Sequence, residues 1–287
     1  MNYLLALLLA LFGFGDPPVA AGPAGAGDGA VSIPLTQAGG GPPLPGVTPA
    51  RGADPPLVVI DPGHGGRDPG ASGTAPGLEE KDVTLELAKS IRDDLAASGR
   101  VRVALTREDD RFIPLPDRYA IARRLDADLF ISLHADAAPA NDAARGATIY
   151  TLSEVASDRE AALLAQRENA ADAIGGAALS NDASVNLILI DLAQRESMDV
   201  SARFAQLLHR EAATLFQFQE NWHRFAAFVV LKAPTVPSVL FEAGYISNEQ
   251  DARFLSSDEG RTEIATGLRR AIEAHFARRV VAEGAGS

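Results

Sequence analysis

Apolar residues along this chain fall into two patterns. Short runs rich in Val, Ile, Leu and Phe occupy residues 57–61, 101–106, 128–134, 147–151, 225–231 and 238–242, and their near-continuous hydrophobicity predicts buried strands. Between them, residues 81–97, 115–125, 158–174, 183–216 and 260–279 carry helical patterns. Strands and helices alternate, which predicts an α/β fold with a mostly parallel central sheet and helices on both faces. Gly99 stands where a left-handed cap would close the first helix, and Ser257 precedes the last helical stretch with Asp258 and Glu259 at its positive end. One connection is too long for a simple crossover: two helical patterns separate the runs at 147–151 and 225–231, marking a helical insertion at residues 152–196.

The patterned region, residues 57–280, reads as a single domain, with 281–287 as a tail. Residues 22–56 are dense in Gly, Pro and Ala and cannot bury enough surface to offset their ordering entropy, so they are expected to be a linker. Residues 4–12 are apolar and are followed by small residues at Val19, Ala20 and Ala21, so residues 1–21 read as a secretory signal. The apolar run is too short to span a bilayer comfortably, and a short uncleaved anchor is the alternative.

Composition narrows the chemistry. With 26 Lys and Arg against 38 Asp and Glu, the formal charge of -12 disfavours nucleic acid and anionic membranes as partners. The absence of cysteine excludes disulfides and thiolate metal sites, leaving imidazoles and carboxylates as ligands.

Those ligand types collect where the predicted strands end. His64 follows the first strand in Asp61-Pro62-Gly63-His64-Gly65-Gly66, His134 closes the third in Ser132-Leu133-His134-Ala135-Asp136, and Glu242 follows the last apolar run. Strand ends of an open α/β sheet line the crevice in which such sheets bind ligands, so residues distant in sequence can converge there. A carboxylate directly after buried strand is costly unless paired or near a cation. Glu79 and Glu80 open the first helix, and from adjacent helical positions they cannot both face one site. Two imidazoles, one carboxylate and a second carboxylate as base are the parts of a hydrolytic zinc centre. His209, His223 and His275 lack comparable context and read as surface or packing residues.

These motifs, together with Glu-Lys-Asp-Val at 80–83, Leu-Thr-Arg at 105–107 and Glu-Ala-Gly-Tyr-Ile-Ser-Asn at 242–248, resemble the zinc-dependent N-acetylmuramoyl-L-alanine amidases, particularly the periplasmic division amidases of Gram-negative bacteria. The resemblance selects Glu80 over Glu79. It implies His64, Glu80 and His134 as ligands of one zinc ion, Glu242 as general base, and peptidoglycan as substrate, cut between the lactyl group of N-acetylmuramic acid and L-alanine. Arg107 and Arg118 are assigned structural roles beside local carboxylates. The implied setting is periplasmic cell-wall remodelling and daughter-cell separation, without stable membrane insertion after signal removal.

Helical spacing in 158–174 places Leu164, Glu168 and Ala171 on one face, so a carboxylate interrupts an apolar stripe. Related amidases occlude their site with such a helix. Glu168 is therefore the autoinhibitory candidate, with Glu154 and Glu160 as weaker ones; for the apolar run at 185–192 the resemblance implies a site that receives a noncatalytic metallopeptidase-like activator, with ordinary core packing as the alternative. A wall-binding module without catalysis and a peptidase acting within stem peptides are the competing readings.

Overall fold

A computed structural model describes residues 42–138, 141, 143–174 and 187–284. The expected signal, the first part of the linker, residues 175–186 of the insertion and residues 285–287 lie outside the described residues.

Six strands form one sheet: β1 (Leu57–Pro62), β2 (Arg102–Leu105), β3 (Leu129–His134), β4 (Ala147–Leu152), β5 (Phe218–Ala226) and β6 (Ser238–Glu242), in the order β2-β1-β3-β6-β4-β5. Neighbours run parallel except β4 and β6, which are antiparallel. The helices are α1 (Glu80–Ser98), α2 (Leu115–Arg124), α3 (Arg159–Asn169), α4 (Ala171–Ile174), α5 (Leu187–Ala212), α6 (Glu249–Ser256) and α7 (Asp258–Gly284).

Every residue of β1, β3 and β6 is buried, because both faces of the sheet are covered. Alternate side chains enter different cores. Val58, Ile60, Ile131, Val239 and Phe241 pack with Leu87 and Ile91 of α1, Phe204 of α5 and Leu268 of α7. Leu57, Val59, Phe130 and Leu240 pack on the other side with Ala122 of α2 and Leu164 of α3. Gly99 caps α1 at φ 67°, and its N–H donates to Leu95 O. Ser257 Oγ accepts from Gly260 N at 3.0 Å, a side-chain cap for α7.

Three expectations need correction. The strand expected at 225–231 lies at Phe218–Ala226 and is followed by a 3-10 turn at Val229–Leu231. β5 sits at the sheet edge with Glu220, Asn221 and Phe225 exposed, so it lacks an apolar run, whereas Phe228, Val230 and Leu231 reach the core from outside the sheet. The helix expected at 158–174 is interrupted at Ala170, dividing α3 from α4. Helix α6 was not expected; Asn248 begins it, its side chain accepting from Gln250 N and Asp251 N.

Thr48 bridges the free edge of β2, its N donating to Val103 O at 2.8 Å and its O accepting from Val103 N, and Arg51 N donates to Gly99 O. Among the described residues, no helix is long and apolar enough to cross a membrane.

Candidate metal centre

The parallel ends of β1, β3 and β6 bring the expected residues together. His134 and Glu242 are the last residues of their strands and sit opposite one another in the β3–β6 register. Gly63 N donates to Leu133 O at 2.9 Å, so the chain leaving β1 follows β3 for one more residue before His64.

The turn at His64 is tightly determined. His64 has φ 60°, a left-handed conformation that costs a residue with a Cβ and persists only where its surroundings enforce it. Arg118 Nη2 donates to His64 O at 2.8 Å, and Arg107 Nη2 donates to Gly63 O at the same distance. Both guanidiniums are buried. Arg118 also pairs with Asp61 at 3.1 Å, while Asp61 accepts from Thr106 Oγ1 and Ser132 Oγ. Arg107 does not pair with a carboxylate as expected; it donates to the carbonyls of Pro62, Gly63, Lys81 and Asp109 and to Thr84 Oγ1. Burial and the neighbouring Arg118 pull its pKa down to about 10. A Cβ at Gly63 would lie 2.6 Å from His134 Cε1, so only glycine lets this turn pass beside the second imidazole.

His64 Nδ1 is fixed by Asp68 Oδ2 at 2.8 Å, which turns Nε2 inward. Glu80 is buried at the start of α1 and reaches both rings, Oε2 at 3.2 Å from His64 Nε2 and Oε1 at 3.1 Å from His134 Nδ1. Ala71 N and Ala135 N donate to those same oxygens. Glu79 points elsewhere and pairs with Lys81. Of the two glutamates at the start of α1, Glu80 is the one that faces the imidazoles.

Glu168, on α3, enters the same space, with Oε2 at 3.4 Å from His64 Nε2 and 3.2 Å from His134 Nδ1. His64, His134 and Glu168 each offer one ligand atom, and these atoms lie within 4.8 Å of one another. Leu164 and Glu168 of α3 and Ala171 of α4 are all buried. Glu154 is exposed, and Glu160 pairs with Arg224 away from the imidazoles.

The electrostatics suit a cation. Although burial opposes it, Glu80 and Glu168 raise the His64 pKa well above its usual range. Despite burial, His64 and His134 hold Glu80 well below the usual carboxylate range. Burial and the charges of Asp136, Glu80 and Glu168 push Glu242 well up. Its Oε2 accepts from Asp136 N at 3.1 Å, while Oε1 is buried without a hydrogen-bond partner. His64 Nε2 likewise makes no hydrogen bond despite the nearby carboxylates. A buried imidazole nitrogen facing carboxylate oxygens, with no hydrogen bond of its own, fits a ligand atom, and imidazole with carboxylate is a donor set that zinc accepts.

Sequence reasoning gave no role to Asp68, Asp136 or Arg167. Burial, Glu80 and Glu168 raise Asp136 to about 7, and it forms an ion pair with Arg167 of α3. Asp136 sits inside the quoted motif, but only the fold brings Arg167 to it. His209 stacks on Trp222 with ring centroids 4.1 Å apart, in keeping with a packing role.

The profile of a family described as N-acetylmuramoyl-L-alanine amidase matches residues 58–274. The N-acetylmuramoyl-L-alanine amidase AmiC of Escherichia coli O6:H1 is 37% identical over 253 residues, covering 88% of this chain and 59% of that protein. AmiA of Escherichia coli K12, which carries the same enzyme name, is 40% identical over 222 residues, covering 77% of this chain and 76% of its own length. Among solved structures, the N-acetylmuramoyl-L-alanine amidase AmiC2 of Nostoc punctiforme superimposes with a TM-score of 0.56 at 28% identity, covering 79% of this chain and 99% of that one.

Proposed function

Because the chain belongs to the N-acetylmuramoyl-L-alanine amidase family, we propose that it hydrolyses the amide between the lactyl group of N-acetylmuramic acid and L-alanine in peptidoglycan. The observation that carries this reading is the convergence of His64, Glu80 and His134 at the strand ends, with the Glu242 carboxylate beside Asp136 N.

In this reading His64 Nε2, His134 Nδ1 and Glu80 would hold one zinc ion. Zinc in such a site supplies Lewis acidity, polarising a carbonyl and lowering the pKa of water to about 7. Glu242 Oε1, which has no hydrogen-bond partner, takes the proton from the attacking water. The same carboxylic acid then gives it to the departing amine of L-alanine. Asp68 holds the His64 ring, and Asp136 N orients the Glu242 carboxylate by binding Oε2.

The same geometry supports autoinhibition. Glu168 stands where substrate would approach, and α3–α4 are latched by Arg167 to Asp136, Asn169 to Ala227 O and Val229 N, and Asp172 to Leu115 N. An activator that prefers the open state would shift the population; the candidate receptor is the 185–192 run, whose residues up to 191 have no described side chains. Secretion to the periplasm through residues 1–21 and a role in wall remodelling complete the proposal.

Mass spectrometry of peptidoglycan digests, with and without a chelator, tests it. Chelator-sensitive release of intact stem peptides from glycan bearing free lactyl carboxylates is expected. Cut peptides would make the enzyme a peptidase, and no release with substrate retained would make it a wall binder.

A further inference from the structure

A cavity of about 710 Å³ lies beside the cluster, its lining including Asp136, Arg145, Tyr150, Arg224 and Tyr245. Asp136 is two residues beyond His134 and Tyr245 three beyond Glu242, so a group bound here sits next to the reacting centre. The helix α3 supplies part of the wall.

Arg224 projects from the edge strand β5 and is only 8% exposed. Its Nη1 donates to Glu160 Oε2 at 2.8 Å, while Nε lies 3.7 Å from Asp158 Oδ2 and has no hydrogen-bond partner. Both carboxylates belong to α3 or its N-cap. Displacing α3 from the centre would remove both carboxylates that face Arg224 and leave its guanidinium on the sheet, open to another anion. Arg145, across the cavity, donates to the amide oxygens of Gln217 and Gln250 and forms no ion pair among the described residues. Of the acidic residues in the lining, Asp136 pairs with Arg167, Glu160 pairs with Arg224, and Glu220 is solvent-exposed. A planar guanidinium whose Nε lacks a hydrogen-bond partner, in a lining shared with two tyrosines and a second arginine, matches a carboxylate ligand.

We propose that this cavity is a subsite for a carboxylate of the peptide that leaves with the amine, anchored by Arg224, and that Glu160 holds the same guanidinium only while α3 covers the centre. The assignment rests on the amidase reading and gives it a specificity determinant. Substrate and α3 then compete for one arginine, so an acidic peptide favours the open arrangement.

The test compares whole peptidoglycan with peptidoglycan whose peptide carboxylates have been converted to carboxamides by carbodiimide and ammonia. Initial rates of stem-peptide release are measured for the full chain, Arg224→Gln and Arg224→Lys, each also in a Glu168→Ala background so that closure of α3 does not limit the rate. The unaltered Arg224 should cut the untreated polymer faster by about tenfold or more, the effect of one charge-assisted hydrogen bond. Arg224→Gln should erase that preference by slowing the untreated polymer, and Arg224→Lys should keep part of it. A residue that only held α3 would change both rates alike. Equal rates with Arg224 intact, or a preference that survives in a folded Arg224→Gln, overturn the subsite and leave the amidase reading standing. Failure to release any stem peptide from untreated polymer overturns both.

Discussion

The Glu168 carboxylate comes within 3.2 Å of His134 Nδ1, and it does so from α3, not from the strands and first helix that carry the rest of the cluster. In the proposed autoinhibition it is α3 that moves, although Leu164 of that helix also packs against the sheet. Glu168→Ala removes the contacts to both imidazoles, so basal dye release from labelled peptidoglycan should rise about tenfold, the effect of roughly 1.4 kcal/mol lost from the closed state. Glu154→Ala, at an exposed position, should leave the rate unchanged. An unaltered rate in a folded Glu168→Ala protein would argue against autoinhibition by this helix.

In the proposed mechanism Glu242 moves a proton and does not hold the fold together. Its Oε1 lacks a hydrogen-bond partner and its Oε2 accepts only from Asp136 N among the described residues. Glu242→Gln keeps the shape and an acceptor for Asp136 N but cannot accept the proton, so turnover should fall by about 10²–10⁴-fold, the usual worth of general acid–base catalysis. Zinc content, read by atomic emission, should stay near that of the unaltered chain. Retained hydrolysis would remove Glu242 from the mechanism.

His64 should behave in the opposite way. His64→Ala deletes the ring that faces Glu80 and Glu168 and whose Nδ1 is fixed by Asp68. The expected outcome is loss of most bound zinc along with activity, measured on the same preparation. Full metal occupancy in His64→Ala would place the ion elsewhere.

Much of this arrangement was legible in the sequence because it depends on strands buried on both faces. Continuous apolar runs marked β1, β3 and β6, and His64, His134 and Glu242 follow or end them. β5 was misplaced because an edge strand need not be apolar, and the Phe228 to Leu231 run, although buried, does not pair in the sheet. Glu79 and Glu80 could not be separated by helical position alone; the inward choice depends on the Ala71 and Ala135 amides, which only the fold brings to Glu80. Asp68 escaped notice because its link to His64 crosses a turn of positive-φ residues, which no regular period describes. Helical spacing did identify the buried face of Glu168.

The two buried arginines make a last prediction about stability. Arg118 binds Asp61 at 3.1 Å and also donates to the carbonyls of Ile113, Pro62 and His64, so it couples α2 to the turn that presents the first imidazole. Arg118→Met would keep much of the side-chain volume but leave Asp61 buried with only the Thr106 and Ser132 hydroxyls among the described residues. Breaking a buried pair from one side costs about 3–5 kcal/mol, so the urea midpoint should fall sharply at pH 7. The neutralising second change, Asp61→Asn, should recover part of that loss, because it removes the stranded charge. If Arg118→Met unfolds at the same urea concentration as the unaltered chain, the Asp61–Arg118 pair is not what holds the His64 turn.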